Sequence, residues 1–157
     1  DTPTGETGGV LTQNGGNIVT LVTGDNLLGI GIYAFYGCAN LSGIQLSNGA
    51  NTIGKYAFAN CHNLVTADID LHAAINVIGE YAFQNCDGLQ SFTLPISVTK
   101  ICDRAFENCS SITTITLPDS AVIEENAFPE NCKTKKVSEV KDKNNFLVIA
   151  MKIVLTS

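Results

Sequence analysis

The sequence has no tryptophan, one methionine, four prolines and a single arginine, Arg104. Lysine and arginine together number 9 against 15 acids, for a net charge of −6. That balance argues against nucleic acid as a partner, because phosphate backbones are held chiefly by cationic side chains. Long apolar runs are also missing. Residues 146–151 form the longest, followed by Lys152 and three more apolar residues. A spanning helix needs roughly 20 such residues, so no membrane span is expected. Charged residues make up only 15% and hydrophobic ones 45%, a composition that excludes bulk disorder and permits one domain with a core.

The usual carriers of chemistry are absent as well. No G-x-S-x-G, H-E-x-x-H or G-x-x-x-x-G-K phrase occurs. The six cysteines include no C-x-x-C pair, so zinc has no half-site. The glycine-rich residues 24–31 lack a phosphate-binding lysine, and turn chemistry explains them. Asp68, Asp70 and His72 alternate as ligands on one strand face would, but no second half-site accompanies them, and a solvated strand edge is the reading. No catalytic residue, cofactor or metal is expected.

What the sequence does have is a repeat. Ile-Gly-Ile-Tyr-Ala-Phe-Tyr-Gly-Cys at 30–38 is echoed by Ile-Gly-Lys-Tyr-Ala-Phe-Ala-Asn-Cys at 53–61. It returns at 78–86 and 101–109, and more loosely at 123–132. Phe35, Phe58, Phe83, Phe106 and Phe128 are spaced 23, 25, 23 and 22 apart. A strand-like phrase follows each of the first four cysteines, as in Leu41-Ser-Gly-Ile-Gln-Leu46 and Ile112-Thr-Thr-Ile-Thr-Leu117. Its first, fourth and sixth residues are expected to point inward. One such unit cannot bury its apolar side, but stacked units can. The expected architecture is an α/β repeat solenoid of about five turns. A parallel β-sheet lies on one face, and short helical or 3₁₀ turns at Tyr-Ala-Phe lie on the other. Five cysteines share one repeat position, and buried thiols are expected there; Cys102 is off that ladder.

These phrases closely resemble the BspA-like class of leucine-rich repeats over about residues 17–132. The resemblance implies a secreted or surface-attached protein, extracellular in location, that adheres to host, matrix or microbial surface proteins. The sequence departs from the pattern at Ala67, in a two-residue insertion between Ile69 and Ile78, and in the fifth repeat, which lacks tyrosine and carries Pro129.

The outward positions of the strand phrases form the candidate binding face: Thr20, Gln45, Thr66, Asp68, Ser91, Thr93, Thr114 and Thr116, with Val22 and Gly43 between them. The face is small and polar, without the Trp, Tyr and Arg that dominate interface energetics. The ends differ from the body. Residues 1–16 hold five glycines and read as a tail or linker. Residues 1–132 carry thirteen acids and three bases, or −10, whereas 133–157 carry six lysines and two acids, or +4. Phe146, Leu147, Val148, Ile149, Ile153, Val154 and Leu155 belong to a last strand that is apolar on both faces. That strand either caps its own solenoid or joins an identical subunit head to tail into a filament. Asn40 and Asn108 begin glycosylation sequons that the repeat itself already explains.

Overall fold

The computed structural model describes residues 18–46, 48–69 and 74–139. Ten short strands follow one another: β1 (Thr20–Val22), β2 (Gly43–Leu46), β3 (Thr52–Ile53), β4 (Thr66–Ile69) and β5 (Val77–Ile78) come first. Then come β6 (Ser91–Thr93), β7 (Lys100–Ile101), β8 (Thr114–Leu117), β9 (Val122–Ile123) and β10 (Lys133–Lys136). All pair in parallel. The expected sheet runs β1-β2-β4-β6, and β8 pairs with β10 to continue that side. A second sheet, β3-β5-β7-β9, is built from the residues around each repeated Ile, and Ile30 bridges to Ile53 at its start. Two residues per strand are too few for an alternating pattern, which is why the sequence signals only the first sheet.

The core is a set of ladders. Leu41, Ile44 and Leu46 are buried, as are Ile112, Ile115 and Leu117, matching the inward positions expected. The phenylalanine rings of Phe35, Phe58, Phe83, Phe106 and Phe128 stack with centroids 5.1–5.3 Å apart and planes within 12°. The repeated glycine after the isoleucine marks a close approach of successive turns, although Cys102 and Glu124 hold the same place in later turns. A Cβ at Gly79 would lie 2.8 Å from the backbone at Gly54 and Lys55.

The helical or 3₁₀ turns expected at Tyr-Ala-Phe are not formed. Among the described residues, the one helical element is the 3₁₀ turn Val137–Glu139, which follows β10. Tyr33, Tyr56, Tyr81, Arg104 and Asn126 instead hold φ of 54–59°, the left-handed region that breaks a right-handed helix. Amide direction alternates too. Ala34, Tyr36 and Cys38 donate three residues back within their own turn, while Tyr33, Phe35 and Gly37 donate to Lys55, Ala57 and Ala59 of the next. A helix sends every amide one way. Here half of them tie successive turns together, and this side of the solenoid is a second inter-turn ladder.

Candidate functional site

The sheet register settles which outward residues stand side by side. Thr20 pairs with Gly43, Gly43 with Thr66 and Thr66 with Ser91; Thr114 pairs with Lys133. A second row runs Val22, Gln45, Asp68 and Thr93, and Thr116 pairs with Lys135. Thr20, Val22, Gln45, Thr66 and Thr114 are exposed, and Thr116 is partly so. Asp68, Ser91 and Thr93 take their places by register. Lys133 and Lys135, both exposed, extend the same face and give it a cationic end. The sequence hides this. Lys-Thr-Lys-Lys lacks the apolar inward residues that mark the other strands, and only pairing with β8 reveals its phase.

The last inward residue of β10 ties the strand back to the turn before it. Lys136 stands opposite Leu117, and its Nζ donates to the carbonyls of Pro118 and Ala121 at 3.2 and 3.1 Å. Its stem occupies the leucine position and its head meets two carbonyls of the preceding turn. Ser138 adds two bonds to Asp119, from its amide at 3.1 Å and its hydroxyl at 2.9 Å.

A second surface was not legible as a unit. On the turn side Tyr33, Tyr56 and Tyr81 stack with centroids 4.9 and 4.7 Å apart, and Tyr36 packs edge-on against Tyr33. Arg104 replaces the fourth tyrosine, donating to the Tyr81 hydroxyl at 2.6 Å with its guanidinium beside that ring. Lys55 lies over the Tyr56 ring and pairs with Glu80 at 2.6 Å. The sequence signal was the tyrosine recurring in each phrase. Stacking holds the rings in a backbone conformation that bulky residues rarely adopt.

Two further ladders line the turn side. Asn85 donates to Asn60 at 2.6 Å and Asn108 donates to Asn85 at 2.8 Å. All three hold φ near 60°, as does Gly37 at 70°. The Asn108 amide of the sequon is thereby engaged. Behind them run the cysteines. Cys61, Cys86 and Cys109 donate to the carbonyls of Phe35, Phe58 and Phe83 at 3.2, 3.1 and 3.0 Å. All six cysteines are free thiols; Cys38, Cys61, Cys86 and Cys109 are buried, and Cys102 is partly exposed.

Burial pushes the Cys61 thiol up to about 12, and Cys86 rises for the same reason. The unfolded thiol ionises near 9.0 and the folded one does not. The stabilising contribution of Cys61 is therefore complete below pH 9 and falls as pH rises toward 12. Alkylation of native chain at neutral pH should be slow at the four buried sites and fast in denaturant. Equal rates in both states would refute the burial.

His62 sits on an exposed turn as expected, paired with Asp87 at 2.6 Å, and holds that carboxyl below its ordinary range. Among the described residues no group of three His, Cys, Asp or Glu side chains is placed to hold a metal. Asp70 and His72 lie outside the described residues, as do residues 1–16 and the segment expected as a last strand, with Phe146, Leu147, Val148, Ile149, Ile153, Val154 and Leu155. No described helix is long and apolar enough to cross a membrane.

No curated protein matches the sequence. A leucine-rich repeat protein of T. pallidum matches in structure, with TM-score 0.67 and 25% identity over 72% of this chain and 55% of its own. One from Bacteroides ovatus gives TM-score 0.66 and 25% identity, covering 76% of this chain and 34% of its own. A leucine-rich cell surface protein from Faecalibacterium prausnitzii shares the fold, with TM-score 0.64, 23% identity, and coverage of 84% and 35%. The chain thus spans about a third to a half of the length of these structures. The model of the BspA-type leucine-rich repeat region matches residues 13–137 in six copies. The chain belongs to the BspA-type leucine-rich-repeat family.

Proposed function

We propose that this chain is a non-catalytic module for protein–protein recognition at a cell surface or outside the cell. Its partner is a protein of a host, matrix or microbial surface, and its sheet side is the contact. The observation that carries this is the register. Outward residues align in two rows across β1, β2, β4 and β6, starting at Thr20 and Val22, and in two more across β8 and β10 that end at Lys133 and Lys135. Such rows offer a flat surface on which a partner's backbone and polar groups can lie closely, while the lysines favour an acidic partner at one end. A structural neighbour described as a cell surface protein is consistent with the location.

The turn-side stripe of Tyr33, Tyr56, Tyr81 and Arg104 supports a second reading, since tyrosine and arginine dominate interface energies. Head-to-tail assembly draws less support. The segment it invokes, residues 146–155, lies outside the described residues.

An array of immobilised matrix proteins, with intact bacterial and epithelial cells, tests the first reading. Thr66→Arg combined with Thr114→Arg should weaken whatever binding the intact chain shows by about tenfold or more, with unfolding unchanged. Undiminished binding by that variant would reject the sheet face.

A further inference from the structure

Six lysine and arginine side chains lie among the described residues, and four of them are engaged. Lys55 pairs with Glu80 and Lys100 with Glu124, each at 2.6 Å. Arg104 holds the Tyr81 hydroxyl, and Lys136 holds the carbonyls of Pro118 and Ala121. The other two, Lys133 and Lys135, are exposed and form no ion pair among the described residues.

The register explains why pairing stops there. Elsewhere an acid stands one turn on from the cation, as Glu80 does from Lys55 and Glu124 from Lys100. Beside Lys133 and Lys135 stand Thr114 and Thr116, which carry no charge. Asp119, the acid that follows β8, accepts instead from the amide and hydroxyl of Ser138.

The spacing defines what fits. Lys133 and Lys135 are two residues apart in one strand, so their side chains leave the same face about 7 Å apart. An extended chain has the same two-residue period. One with carboxylates at alternate positions sets both against the two ammonium groups at once. A long polyanion fits less well, because the face carries Asp68 by register and residues 1–132 sum to −10. Building on the reading of the sheet side as the contact, we propose that β8 and β10 bind an extended acidic segment of a partner protein. Two of its carboxylates, at alternate positions, meet Lys133 and Lys135, and the hydroxyls of Thr114 and Thr116 lie beside them. Exposed ion pairs contribute little affinity each, so this pair selects and orients the segment while the rest of the face supplies contact area.

Titrating the full chain with two short peptides, followed by backbone amide chemical shifts, is the test. One peptide has two glutamates separated by a threonine; the other has the same composition with the glutamates adjacent, which turns them to opposite faces. The first should shift amides of β8 and β10 and bind about threefold or more tightly than the second. That preference should disappear in Lys133→Gln combined with Lys135→Gln, and the binding should weaken as salt rises. Equal binding of the two peptides by the unaltered chain, or shifts confined to other strands, would overturn the proposal. Tighter binding of heparin at the same amides would overturn it as well, and would assign the site to a sulfated polysaccharide. The array of matrix proteins and cells separates this proposal from the reading beneath it. Binding lost in the Thr66→Arg, Thr114→Arg variant but undiminished in the lysine variant would overturn the acidic segment alone. Undiminished binding by both variants would overturn the two together.

Discussion

Truncating Phe83 to alanine is expected to destabilise the chain by about 3–5 kcal/mol, read from urea or thermal unfolding. Phe83 is fully buried and stacked on both sides, with Phe58 at 5.3 Å and Phe106 at 5.1 Å. Removing the ring deletes its own burial and leaves a gap that rigid neighbours cannot fill, since each turn is tied to the next by backbone bonds. Solenoid stability is a sum of turns and nearest-neighbour junctions, and Phe83 belongs to two junctions. Phe128→Ala, at the partly buried end of the stack, should cost less. Equal losses at Phe83 and Phe128 would mean that the ladder is not the cooperative unit.

Asn85→Ala should cost about 2–4 kcal/mol, a large effect for a partly buried polar residue. Two terms add. Asn85 holds φ of 58°, where alanine is strained, and its side chain both donates to Asn60 and accepts from Asn108. Asn85→Gly separates them, because glycine takes the backbone conformation freely and loses only the side-chain bonds. Glycine should therefore be the milder substitution, by about 1 kcal/mol, reversing the usual order of these residues in regular structure. If alanine were tolerated better than glycine, the left-handed turn would not be the reason asparagine stands there.

The sequence made the stacking axis legible because each turn repeats the same large residues at nearly fixed spacing. Phe35 to Phe128 and the inward Leu and Ile positions could be assigned by counting alone. The turn conformation could not be. A phrase such as Tyr-Ala-Phe has ordinary helix-compatible residues, and nothing local shows that Tyr56 sits at positive φ with its ring between two others. That state is fixed by the neighbouring turns and disappears from any single-unit reading. β10 was hidden for a related reason. Lys136 fills a leucine position with its stem, and a polarity pattern registers only its charge. The candidate face followed from strand phase, but its cationic end at Lys133 and Lys135 did not.

Amide-exchange mapping decides which side of the solenoid meets a partner, comparing the chain alone with the chain bound to the array member it binds most tightly. Protection is expected in β2, β4, β8 and β10, around Gln45, Thr66, Thr114 and Lys133, with the turn side at Tyr33, Tyr56 and Tyr81 unchanged. Protection confined to the tyrosine side, with those four strands exchanging as in the free chain, would contradict it.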